Sequence, residues 1–317
     1  MTDLPKLLVS RALPDSVMDA LRDHFDVTCR DTTQPMDLPE CRAALADYDV
    51  ILPTLGDAFG DDAFTGTIRA KGLANFGVGY NHIDVEAARK AGLVVTNPPG
   101  VVTDATADIA LTLILMTARR AGEGERMVRA GNWQGWHPTQ MLGMHISGKT
   151  LGVIGMGRIG QAIARRCHHG FGMDVVFHNR SVKSVPGARQ LASVAEVCQT
   201  ADIVVTAVPA SPETFHIIDA AALSAMQPQA ILVNIARGDV VDEAAMIAAL
   251  QNGGIAGAGL DVYEQEPHVP AALMALENVV LLPHLGTAAL EVREDMGRMA
   301  MDNAVAIAEG RDPPNPV

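Results

Sequence analysis

Three residues in the last third of this 317-residue chain carry side chains suited to acid–base and anion chemistry: Arg237, Glu266 and His284. Each follows a short apolar or β-branched run, at residues 231–236, 257–262 and 279–283, that reads as a buried parallel strand. Residues just past such strands face the ligand crevice of an open α/β sheet. An imidazole beside a carboxylate can deliver a proton near neutral pH, because the negative charge favours the protonated ring. A guanidinium can grip a carboxylate and a carbonyl oxygen together and stabilise an oxyanion as it forms. Gly238, after Arg237, is expected to keep the space around that guanidinium open. This is equipment for reducing a 2-keto acid. The other histidines, including adjacent His168 and His169, form no metal-ligand grouping, so the expected chemistry uses no metal.

A cofactor site precedes them. Gly155, Met156, Gly157, Arg158, Ile159 and Gly160 form a G-x-G-x-x-G turn with a strand-like run at 151–154 before it and a helical pattern at 159–166 after it. Gly155 permits the tight turn, Gly157 lets the backbone approach a pyrophosphate, and Gly160 lets helix and strand pack closely. The helix N-terminus then offers N–H groups to the phosphates. An NAD site would carry an acidic residue at the end of the following strand. Here that strand, at 175–177, runs into His178, Asn179, Arg180 and Ser181, with Lys183 nearby. Arg180 can bind a 2'-phosphate and no carboxylate in the segment repels one, so NADP(H) is the expected cofactor, with NAD(H) also possible.

To position these groups the chain alternates apolar runs with helical patterns, the signature of parallel sheets covered on both faces. Residues 7–10, 50–54, 74–78 and 94–97 read as strands of a small first domain, with a helix over 84–91. Paired prolines at 98 and 99 interrupt regular structure, and a long helix starts with Thr103 or Asp104 as its N-cap. Strands at 150–155, 174–178, 202–208, 230–235, 257–262 and 279–283 then suit a complete dinucleotide-binding sheet. The one helix that remains, about 288–309, cannot make a domain and is expected to pack back on the first. The fold class is therefore α/β, two doubly wound parallel-sheet domains. Residues 1–99 and 286–317 would form the substrate (catalytic) domain and residues 100–285 the dinucleotide-binding domain, with hinges near Gly100 and Leu285 and a cleft between the two.

A hydrophobic content of 48% with 19% charged residues suits a well-packed globular protein. The formal net charge of -13 disfavours nucleic acid as a partner, so an anionic substrate must be drawn by local cations. Cys29, Cys41, Cys167 and Cys198 form no C-x-x-C pair, as expected of a reducing compartment. The first ten residues carry no leader pattern. The apolar helix near 108–118 is shorter than the roughly 20 residues that span a bilayer. A cytoplasmic protein with no membrane partner is expected.

Residues 155–160, Asn-Ile-Ala-Arg-Gly at 234–238, Gly-Leu-Asp-Val-Tyr-Glu-Gln-Glu-Pro at 259–267 and Leu-Pro-His-Leu-Gly at 282–286 resemble the D-isomer-specific 2-hydroxyacid dehydrogenases. Segments 77–84 and 96–103 extend the resemblance over nearly the whole chain. It implies a Rossmann cofactor domain inserted into a flavodoxin-like substrate domain. By the same resemblance Arg237 binds substrate, Glu266 pairs with His284, and His284 is the acid/base. Val78 and Gly79 offer N–H groups to the substrate carboxylate. Thr103, Val208, Pro209, Thr214, Ile235, Ala236, Arg237, Asp261, His284 and Gly286 join the residues already named at the cofactor. Glu264 is the nearby alternative carboxylate, but the Glu-Pro pair matches at Glu266. The formate dehydrogenase branch has glutamine at that position and is disfavoured. Residues 131–136 and 179–181 look most like glyoxylate/hydroxypyruvate reductases, in which the second tryptophan, here Trp136, reaches the partner's active site in a homodimer. Reductases of bulkier 2-keto acids, such as phenylpyruvates or 2-ketogluconate, and nucleotide-sensing corepressors of the same fold are the alternatives.

Overall fold

The computed structural model describes residues 4–317, which divide into two units, residues 4–102 with Ala288–Val317, and Thr103–Thr287. In the first, strands β1 (Lys6–Val9), β2 (Asp26–Cys29), β3 (Val50–Leu52), β4 (Gly72–Ala74) and β5 (Val94–Thr96) alternate with helices α1 (Asp15–Arg22), α2 (Leu38–Asp47) and α3 (Val85–Lys90). All pairings are parallel and the strand order is β2-β1-β3-β4-β5, the flavodoxin-like winding. Successive residues of the inner strands bury to opposite faces. Leu8, Ile51, Leu73 and Val95 meet Cys41 and Leu45 of α2 and Ala88 of α3. Leu7, Val9, Val50 and Leu52 meet Val17 and Leu21 of α1 and Ala300, Ala304 and Ile307 of the helix Leu290–Glu309. That double burial makes the strands read as unbroken apolar runs. Local signals set the helix starts: Asp37 and Glu40 form a capping box on α2, and Asp84 accepts from Ala87 N–H on α3.

The second unit begins with α4 (Thr103–Ala118) and α5 (Ala121–Arg129). Seven strands follow: β6 (Thr150–Ile154), β7 (Asp174–His178), β8 (Ala188–Gln190), β9 (Ile203–Thr206), β10 (Ile231–Asn234), β11 (Gly257–Leu260) and β12 (Val279–Leu281). Between them run α6 (Arg158–Phe171), α7 (Val194–Thr200), α8 (Ala220–Ala225), α9 (Glu243–Gln251) and α10 (Ala271–Met274). The parallel sheet has the order β12-β11-β10-β9-β6-β7-β8, reversing direction between β6 and β9 as a Rossmann sheet does. One face buries Val153, Phe177, Val205 and Val233 under α4 and α6, the other Val176, Val204, Leu232 and Leu260 under α7, α8 and α9.

The structure departs from the sequence reading at several elements. β2 and β8 were not anticipated; both are partly exposed edge strands without an apolar run. β4 lies at Gly72–Ala74, earlier than the expected 74–78, because the chain turns at Asn75, whose side-chain amide donates to Gly77 O (2.7 Å) and Gly79 O (3.0 Å). Thr103 and Asp104 lie within the first turn of α4 and so are not its N-cap. Among the described residues no helix is long and apolar enough to cross a membrane.

Candidate active site

At the β6–α6 turn the three glycines meet three different demands. Gly155 has φ +98°, and a Cβ there would lie 2.5 Å from Ala207 O. At Gly160 a Cβ would lie 2.1 Å from Gly155 O, so the helix can approach the turn only without a side chain. Around Gly157 nothing lies within 4 Å of a Cβ position, and this residue is the N-cap of α6 with no side chain of its own to satisfy the helix N–H groups. Open space beside a bare helix N-terminus suits a pyrophosphate. Met156 contributes differently: its side chain is wholly buried and its N–H donates to Asn179 Oδ1 (3.1 Å).

The loop after β7 is folded on itself. Asn179 Nδ2 donates to Ser181 O and Oγ, both at 3.0 Å, while Arg180 and Ser181 are exposed. One carboxylate the sequence reading left out bears on this loop. Glu213 is held below the ordinary carboxylate range by hydrogen bonds from Ser211 and its own backbone N–H, with a further contribution from the charge of Arg180. Its neighbour Thr214 ties the same turn together, donating to Pro209 O at 2.7 Å and accepting from Ser211 N–H at 2.9 Å. Val208 and Pro209 lead into that turn from β9. Thr103 opens α4.

Arg237 follows β10 and a rigid support. Buried Asn234 donates from Nδ2 to Arg237 O (2.8 Å), and its Oδ1 accepts from Ala236 N–H (3.0 Å) and from the hydroxyl of buried Thr206 (2.7 Å). Ile235 and Ala236 are buried in the same turn. Burial lowers the Arg237 pKa, and the charges of Glu266 and Asp239 push it back up. Burial is the larger effect, so the net direction is downward. Gly238 does not keep the space open, as the sequence suggested; it allows contact. A Cβ there would lie 1.8 Å from Tyr263 C and 2.2 Å from Glu264 N, so the β10 turn presses directly on the backbone leading to Glu266.

His284 Nδ1 lies 2.8 Å from Glu266 Oε2, with 31% and 27% of the two side chains exposed. Burial would raise the Glu266 pKa. It is outweighed by the hydrogen bond and charge of His284, the Tyr263 N–H at 3.1 Å and the charge of Arg237, which together hold the carboxyl below its ordinary range. Glu264, the alternative carboxylate, belongs to a separate pair: it accepts from Glu243 N–H (3.1 Å) and lies 2.9 Å from His216 Nε2. With φ +55°, His284 sits in the left-handed region that a branched or bulky residue rarely adopts. Asp261 holds it there. Its carbonyl accepts from His284 N–H (2.9 Å), and its carboxylate accepts from Leu285 N–H (2.6 Å) and Gly286 N–H (2.8 Å). Burial raises the Asp261 pKa, offset in part by those N–H groups and the charge of His284. Arg237, Glu266 and His284 thus form one electrostatic cluster in the second unit.

Val78 and Gly79 belong to the first unit. Gly77 O accepts from Asn75 and Val78 O accepts from Asn97 Nδ2 (2.7 Å). In a trans peptide N–H points opposite to C=O, so the N–H groups of Val78 and Gly79 face away from both asparagines. Asn75, Asn97 and Asn234 were missed by the sequence reading, because nothing local in the sequence shows which backbone groups an amide will meet. Trp136 lies in the irregular segment after α5 with 79% of its surface exposed.

Residues 111–286 match the family described as D-isomer specific 2-hydroxyacid dehydrogenase, NAD binding domain. Glyoxylate reductases of Thermococcus gammatolerans and Pyrococcus furiosus are each 42% identical to this chain over 98% of its length, covering 95% and 94% of theirs. Among solved structures, the TT0316 protein of Thermus thermophilus superposes with a TM-score of 0.93 at 42% identity, over 98% of this chain and 99% of that one. An NADPH-dependent glyoxylate/hydroxypyruvate reductase of Sinorhizobium meliloti, solved with NADP and malonate, gives 0.89 at 35% identity, over 99% and 96%. With the glycine-rich turn and the Arg237, Glu266 and His284 cluster in place, the chain belongs to the D-isomer-specific 2-hydroxyacid dehydrogenase family and is an NAD(P)-dependent oxidoreductase.

Proposed function

We propose that the protein reduces small 2-keto acids, glyoxylate and hydroxypyruvate, to D-2-hydroxy acids, prefers NADPH, and uses His284 as proton donor. The observation that carries this reading is the 2.8 Å contact between His284 Nδ1 and Glu266 Oε2. With Nδ1 donating to the carboxylate, Nε2 is the ring atom left to give a proton to the substrate oxygen. The glycine-rich turn and the α6 N-terminus would hold the pyrophosphate of the dinucleotide, whose reduced nicotinamide would supply the hydride. Arg237 holds the substrate carboxylate and keto oxygen and stabilises the oxyanion, and the N–H groups of Val78 and Gly79 are offered to a substrate carboxylate. Relatives named as glyoxylate reductases support the small substrate. Trp133, Trp136 and Leu142, all exposed in the segment after α5, support a homodimer, since several apolar side chains exposed in one segment favour being covered by a partner. Four free cysteines fit a cytoplasmic enzyme. Turnover of glyoxylate, hydroxypyruvate, phenylpyruvate and 2-ketogluconate with NADPH tests the substrate. A higher kcat/KM for the bulkier acids would overturn the assignment.

The acid role has its own test. Reduction consumes a proton, so the donor must be held where it can give one. Glu266→Gln keeps an acceptor beside His284 Nδ1 but removes the carboxylate charge, and should lower kcat/KM for glyoxylate reduction about a hundredfold. A folded variant with wild-type kcat/KM would point to another acid.

A further inference from the structure

One side chain outside every residue assigned so far shapes the loop after β7. Gln190 ends β8, at the edge of the sheet, opposite Phe177 of β7. Its Nε2 donates to Asn179 O (3.0 Å) and Ser181 O (3.2 Å), and its Oε1 accepts from Lys183 N–H (2.9 Å). A single amide thus matches three backbone groups between residues 179 and 183. The consequence lies on the other side of the same peptides. Because Asn179 O and Ser181 O point at Gln190, the N–H groups of Arg180 and Val182 point away from it. The Ser181 hydroxyl accepts from Asn179 Nδ2 and keeps its own proton to donate. Asn179 Oδ1, by accepting from Met156 N–H, locks the loop to the glycine-rich turn. Backbone N–H groups held in one direction beside an exposed arginine make an anion-binding concavity.

We propose that Gln190 is a positioning residue for cofactor specificity: it presets the 179–183 loop to receive the 2'-phosphate of NADP(H). The proposal rests on the NADPH reading above and deepens it. Arg180 and Ser181 would touch the phosphate; Gln190 would act only through the backbone it holds. Without its amide Asn179 O and Lys183 N–H lose their partner and Ser181 O keeps only Asn179 Nδ2, so the loop must be ordered when the phosphate arrives.

The test compares two ligands that differ by that phosphate alone, adenosine 2',5'-bisphosphate and 5'-AMP, titrated calorimetrically into the wild type and Gln190→Met. In Gln190→Met the bisphosphate should bind about tenfold more weakly, the loss of roughly one net hydrogen bond's worth of preorganisation. Affinity for 5'-AMP and the Tm should hold. If Gln190→Met cannot be purified folded, Gln190→Ser takes its place with the same expectation. A wild type that binds both ligands equally would overturn the NADPH reading and this inference with it. A wild type that prefers the bisphosphate, with the variant keeping the full preference, would overturn the role of Gln190 alone. Equal weakening of both ligands would also overturn it, because it would mark Gln190 as a support of the whole site.

Discussion

Arg237→Ala is expected to lower kcat/KM for keto-acid reduction about a hundredfold or more while the Kd for NADPH stays within about threefold. Removing a fixed charge from a developing oxyanion costs on the order of 3 kcal/mol, which is that factor in rate. The fold should tolerate the change, because Asn234 still binds Arg237 O and Ala236 N–H and Gly238 still packs on Tyr263, although the variant loses the bond from the guanidinium to Ala236 O (2.7 Å). Arg237→Lys should rescue little, since an ammonium cannot fork between a carboxylate and a carbonyl. Steady-state kinetics with glyoxylate, alongside fluorescence titration of NADPH, make the measurement. A variant with near wild-type kcat/KM would remove Arg237 from the substrate.

The second large effect is a reversal of cofactor preference. Wild type should use NADPH over NADH by roughly tenfold to a hundredfold in kcat/KM, the range of one charge-assisted contact of about 1.5 to 3 kcal/mol. Asn179→Asp with Arg180→Ala should invert the order. The new carboxylate can still accept from Met156 N–H, but its second oxygen replaces an amide that donates to Ser181 O and Oγ. Two acceptors then face each other, and negative charge stands where the 2'-phosphate would bind. Glu213, whose carboxyl already feels Arg180, adds to the repulsion once that cation is gone. Equal use of both cofactors by the wild type would show that this loop does not read the phosphate.

The sequence by itself determined the parts whose chemistry is local. Buried parallel strands such as β1, β6 and β10 declare themselves because both faces are covered and the residues between their ends must be apolar or glycine. The roles of Gly155, Gly157 and Gly160 follow from spacing alone, and the residues Arg237, Glu266 and His284 could be named because each follows such a strand. β2 and β8 stayed hidden for the converse reason: an edge strand buries too little to impose a pattern. Only the tertiary structure decided which groups meet. Glu264 and Glu266 stand two residues apart on one chain, yet one pairs with His216 and the other with His284, a choice set by how the turn after β11 packs against Gly238. The amides of Asn75, Asn97, Asn234 and Gln190 carry no local signature, because their partners are backbone groups whose direction exists only once the chain has folded.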